Sequence, residues 1–150
     1  MAGCMLYWAE GAKARNVIKF ANSDASMVAF FCKFLRESLG VTRDRLGIRL
    51  NVYTGNGLTV RQIEEHWLRL LDLPWSAVRG HTLNHRPTSS SGRKRNKLPY
   101  GVCSLTVARS TRELQHMYGA IQEYAGFEEP SWIDGPPRKK SKQKRRPKPV

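Results

Sequence analysis

Residues Leu46–Tyr53 (LGIRLNVY) alternate without a break, with Ile48, Leu50 and Val52 on one side and Arg49, Asn51 and Tyr53 on the other. Successive side chains of a strand point to opposite faces, so this segment buries one face and leaves the other polar. It predicts a sheet covered on one side only. Leu98–Arg109 repeats the pattern, with Cys103, Leu105 and Val107 opposite Val102, Ser104 and Thr106. Asn16–Asn22 is a short β-rich run, and Ser76–His85 reads as a strand carrying Arg79, His81, Leu83 and His85 on one side. A face with Arg49, Asn51 and Tyr53 is equipped to touch bases and phosphates, or is simply solvated; the alternation alone leaves both open.

Helical spacing separates these strands. Ser23 is the expected cap of a helix bearing Met27, Phe30, Phe31, Phe34, Leu35 and Leu39, which Gly40 ends. Thr59 and Gln62 have the spacing of a capping box before Val60, Ile63, Trp67, Leu70 and Leu71, and Ser110 and Glu113 repeat it before Leu114, Met117, Tyr118, Ile121 and Tyr124. The expected class is α+β: a mixed or antiparallel sheet with helices on one face, in which the last two strands pair around a loop. Residues 1–126 form the expected domain. Residues 127–150, rich in proline and lysine, form an expected disordered basic tail.

Charge narrows the partners. The chain of 150 residues carries a formal +14, and Arg138–Val150 holds eight of its Lys and Arg. The remainder still has 18 basic residues against 12 acidic, so a polyanion is the expected partner. The loop Arg86–Lys97 (RPTSSSGRKRNK) has five cations and no apolar anchor, which suits phosphate contact or a solvated connection. The tail reads as an electrostatic arm or a nuclear address. Cys4, Cys32 and Cys103 are odd in number and scattered, which fits a reducing compartment. No apolar run reaches the 18 or so residues of a membrane span. The expectation is a soluble intracellular protein, cytoplasmic, and nucleoid-associated or nuclear according to the host.

The N-terminal segment Gly3–Gly11 (GCMLYWAEG) is a short apolar helix ending in one acid and a glycine. An acid there lies at the negative pole of the helix, and glycine lets the chain leave with positive φ. With this segment, and with Lys97–Gly101 (KLPYG), the chain resembles the LAGLIDADG-type homing endonucleases, in particular their small standalone single-motif relatives, over roughly residues 3–125. The resemblance implies the order helix, β-hairpin, helix, β-hairpin, helix, to which the helix near 58–73 is extra. It implies a homodimer in which two first helices meet through Gly3, Cys4 and Tyr7. Glu10 of each chain would then be the catalytic acid that holds Mg²⁺ against a DNA phosphate. Lys97 would be the catalytic basic residue, with Arg95 and Arg79 as substitutes. Arg49, Asn51, Tyr53, Arg79, Arg93, Lys94, Arg95 and Lys97 would contact double-stranded DNA. The expected function is a DNA-binding homodimer acting as a site-specific, divalent-metal endonuclease. Two other readings stand beside it: a non-catalytic DNA-binding transcription regulator on the same fold, and a basic RNA-binding protein.

Overall fold

The computed structural model describes residues 1–14, 16–84 and 98–129. Its elements run α1 (Ala2–Glu10), β1 (Ile18–Asn22), α2 (Ala25–Glu37), β2 (Leu46–Val52), α3 (Val60–Leu71), β3 (Val78–Leu83), β4 (Val102–Val107) and α4 (Thr111–Ala125). The four strands make one mixed sheet in the order β1-β4-β2-β3. Strand β4 lies antiparallel to both β1 and β2, while β3 runs parallel to β2 on its far side. The chain is thus α+β. The expected pairing of the last two strands around a loop is not formed, because β2 separates β3 from β4. A parallel neighbour needs a crossover connection, and α3 supplies it between β2 and β3.

One face of the sheet is dry. Ile18, Phe20, Leu46, Ile48, Leu50, Val52, Cys103, Leu105 and Val107 are buried in a single core with the helices. The capping box expected at Thr59 and Gln62 forms, and α3 then buries Ile63, Trp67, Leu68 and Leu71. Two other caps differ from expectation. Asp24, rather than Ser23, accepts from the Ser26 and Met27 amides. Ser110 makes no side-chain cap, because its hydroxyl is engaged between sheet and helix: it accepts from Ile18 N at 2.7 Å and donates to the Val107 carbonyl at 2.9 Å. Glu113, freed from the box, pairs with Arg45 at 2.6 Å, and that guanidinium holds its carboxyl below the ordinary carboxylate range.

Helix α1 packs inside the chain. Gly3 and Cys4 are buried, and Tyr7 is fully so. The Tyr7 ring stacks on Phe31 with centroids 5.5 Å apart, and its hydroxyl donates to the Ala12 carbonyl at 2.8 Å. Burial pushes its pKa up to about 12. Gly11 leaves the helix with φ −74, not the positive φ expected. Glycine is needed there for space, since a Cβ would lie 2.4 Å from the Tyr7 ring. Among the described residues the first expected hairpin is reduced to a bridge from Gly11 to Phe20, with the Ala12 amide donating to the Lys19 carbonyl at 2.9 Å.

Two contacts lie just after α4. Phe127 packs on Trp8 at 5.8 Å, and the Glu129 amide donates to Gln122 Oε1 at 2.8 Å. The tail from residue 130 lies outside the described residues. Among those described, no helix is long and apolar enough to cross a membrane.

Gly3 gives a direct test of the α1–α2 packing. A Cβ at Gly3 would sit 2.2 Å from Phe34 Cγ, at the root of the ring where it cannot swing aside. Gly3→Ala gains up to about 1 kcal/mol of helix propensity, but overpacking of this kind costs about 1–3 kcal/mol. At so close an approach the upper end of that cost applies, and the net expectation is a loss of about 2 kcal/mol, seen as a lower Tm in thermal denaturation. An unchanged or higher Tm would contradict this packing.

Candidate nucleic-acid interface

The second face of the sheet is open. Register places Lys19, Ala21, Arg49, Asn51, Val102, Ser104 and Thr106 opposite the buried set, and Lys19 and Arg49 are exposed. The four strands contain no Asp or Glu. A shallow groove of about 170 Å³ runs over this face, lined by Lys19, Arg49, Asn51, Gly80, Thr82 and Ser104 among others. The Ser104 hydroxyl oxygen is buried beneath it and has no hydrogen-bond partner among the described residues.

Strand β3 joins this face through a bulge. Ile48 pairs with Val78 and Arg49 with Gly80, so Arg79 has no opposite number in β2. A bulge of this kind re-aims side chains. Here it sends Arg79 across β2, where its Cγ and Nε lie 3.0 Å from the place a Cβ on Gly47 would occupy. Arg49 crosses the other way, with Nη1 3.8 Å from the corresponding place on Gly80. Gly80 has φ +138, which L residues rarely adopt, so it provides the turn of the bulge. Gly47 provides the room for Arg79 to lie across β2.

The bulge also corrects the side expected for His81 and Leu83. They pair with Leu50 and Val52, on the helix-covered face, and His81 Nδ1 meets Glu64 Oε1 at 3.1 Å. Thr82 is on the open face beside Asn51 and donates its hydroxyl to Asn51 Oδ1.

Of the expected DNA contacts, Arg49, Asn51 and Arg79 therefore come together on one exposed surface, and Lys19 joins them. Tyr53 does not. The strand ends at Val52 and the Tyr53 side chain turns into the protein, 2 % exposed. Arg93, Lys94, Arg95 and Lys97 lie outside the described residues, as does His85. The feet of that segment are described, and both are tied to the turn after β2. Thr54 exchanges hydrogen bonds with Asn84, including Asn84 Nδ2 to Thr54 Oγ1 at 2.8 Å. Asn56 donates to the Pro99 carbonyl at 2.9 Å. Trp67 Nε1 donates to the Tyr100 carbonyl at 2.8 Å, and the Tyr100 ring stacks on His66 at 3.7 Å. Gly101 closes the foot, with a Cβ there only 2.0 Å from the Asn51 carbonyl. The sequence shows TGNG only as a turn; its role as a clasp depends on strand order, which no local pattern carries.

The residues expected to meet a second chain are placed elsewhere. Gly3, Cys4 and Tyr7 face α2 and the core, where no partner chain can reach them. The outward side of α1 is Ala2 and Ala9, exposed, with Met5 and Leu6 half-buried. Glu10 is exposed at the end of that helix and has no ion pair or hydrogen bond among the described residues. No group of three or more His, Cys, Asp or Glu among those residues could hold a metal ion. A second basic cluster at Lys33, Arg36 and Arg43 lines a separate groove, but Arg36 and Arg43 both pair with Asp72 there. Comparison of the chain with family models, with curated proteins and with solved structures finds no match.

Proposed function

We propose that the chain is a DNA-binding protein that lays the open face of its sheet into the major groove of a duplex. The observation that carries this reading is the uniform sign of that face. Lys19, Arg49 and Arg79 share it with Asn51, Thr82, Ser104 and Thr106, and no strand contributes a carboxylate. A two-stranded or larger β surface fits the major groove, where cations fix register on phosphates and amides or guanidinia meet base edges. The feet of the segment holding Arg93, Lys94, Arg95 and Lys97 sit at the end of this same face, at Asn84 and at Leu98–Gly101. The tail adds eight positive charges that raise affinity without reading sequence. A single-stranded RNA reader would instead offer exposed aromatic rings on the sheet, and the strands present none there.

The likeness to LAGLIDADG-type proteins belongs to the same proposal. It is supported by the one-sided sheet and by a first helix that ends in Glu10–Gly11 at the β1 edge. A homodimer would use the uncharged outward stripe Ala2, Met5 and Ala9 of α1. Mg²⁺ takes near-octahedral oxygen coordination through one or two carboxylates, completed by water and phosphate oxygens. Glu10 supplies one carboxylate per chain, and the endonuclease reading brings two of them together in two copies. The binding reading requires only one.

Arg49→Ala and Arg79→Ala should each weaken duplex binding roughly 5- to 100-fold, measured by fluorescence anisotropy with the whole chain. Removing one phosphate-binding cation should also flatten the slope of log K against log salt by about 0.9. Lys33→Ala, on the helix side, should change neither. Equal losses of affinity at Lys33 and Arg49 would point to charge without a surface. Glu10→Gln should bind as tightly as the parent or more so, since it removes a negative charge. If the parent nicks a randomised duplex pool in Mg²⁺ and Glu10→Gln does not, the endonuclease reading holds. A parent that binds but never cuts leaves the regulator.

A further inference from the structure

The charged side chains of the open face are all cations, set among the hydroxyls of Thr82, Ser104 and Thr106, which can donate and accept. Arg49, Arg79 and Lys19 can only donate. Thr106 gives its hydroxyl hydrogen to the Gly47 carbonyl at 3.2 Å. The nearby carboxylate of Glu64 is engaged with His81 on the other face. Asn51 is the one side chain of the groove with an amide oxygen, and Thr82 donates to that oxygen.

Asparagine reads adenine by two opposed bonds at once. Its amide nitrogen donates to N7 while its oxygen accepts from the N6 amino group. The bond from Thr82 takes one of the two lone pairs of Oδ1 and fixes the plane of the Asn51 amide, so its oxygen and Nδ2 are not free to turn together onto an adenine edge. The cations are matched by base edges that accept, and guanine alone presents two adjacent acceptors, O6 and N7, in the major groove. Arginine forks onto that pair, and two arginines are present.

We infer that the open sheet face selects guanine-containing steps, and that Thr82 sets this specificity by holding the Asn51 amide away from the orientation that adenine needs. The inference rests on the duplex-binding reading and goes beyond it by naming the base class. Thr82 itself touches no base; it acts by positioning Asn51. Its place on the exposed edge strand, with valine of nearly the same shape and good strand propensity, makes Thr82→Val a mild change to the fold.

The test is selection of bound sequences from a randomised duplex pool by the full chain, its Thr82→Val variant and its Thr82→Ser variant, each checked for folding by thermal denaturation. The parent should enrich guanine at two or more positions. Thr82→Val should gain adenine at one position, with a roughly tenfold change in the adenine-to-guanine ratio there. Thr82→Ser, which keeps the hydroxyl, should select as the parent does. If valine does not fold, Thr82→Ala gives the same readout. Retained duplexes with no guanine enrichment, or a Thr82→Val pool identical to the parent's, overturn the inference while leaving duplex binding in place. Retention of no duplex at all by the parent overturns the binding reading and this inference together.

Discussion

Burial of one sheet face, and only one, is the constraint on which the rest of the molecule depends. Ile48, Leu50 and Val52 in β2, Cys103, Leu105 and Val107 in β4, and Ile18 and Phe20 in β1 all turn to the helices and are essentially inaccessible. Their period of two fixes the register, because a slip of one residue would send the whole set into water. The same register fixes the other face by exclusion. Lys19, Arg49, Asn51, Ser104 and Thr106 are outward because their neighbours are inward. The chemistry of the open face is in this sense a by-product of the core.

The bulge at Arg79 is where that logic is broken, and the break adds to the open face. Strict alternation would put Arg79 and His81 on one side. The extra residue instead divides them, sending Arg79 over Gly47 and leaving His81 with Glu64. Gly80 permits the break through a positive φ that a residue with a Cβ resists. The result is a pair of crossed arginines in the middle of an acid-free surface.

Much of this was legible in the sequence, and the part that was not has physical causes. Local periodicity identifies β2 and β4 with their inward residues, and α3 with Ile63, Trp67 and Leu71 inward, since each depends on neighbours in the chain; Leu70, expected beside them, is exposed, and Leu68 is buried instead. The cap at Asp24 and the buried Tyr53 differ from the local pattern by one residue at a turn or strand end, where propensity is weakest, while Phe30 is exposed in the middle of α2, at the margin of its apolar stripe. Strand order was not legible. A parallel β2–β3 pair and the separation of β3 from β4 come from how α3 crosses the core. The small residues of α1 were the opposite case. Gly3 and Cys4 do mark close packing, but the helix they admit is α2 of the same chain, through Phe34 and Phe31. Composition marks a close approach and is silent on whose surface approaches.

The end of α1 carries the remaining chemistry. Glu10 is exposed one residue before Gly11 ties the helix to β1, so its carboxylate lies outside the core. Whether that acid works with a second copy is subordinate to whether the open face meets DNA. The most direct measurement of that is a titration of the isotope-labelled full chain with duplex DNA, followed by backbone amide NMR. The account predicts shifts or broadening at Lys19, Arg49, Asn51, Gly80, Thr82 and Ser104, with the amides of Lys33, Arg36 and Arg43 unmoved. Perturbation confined to Lys33, Arg36 and Arg43, with the open face silent, would contradict it.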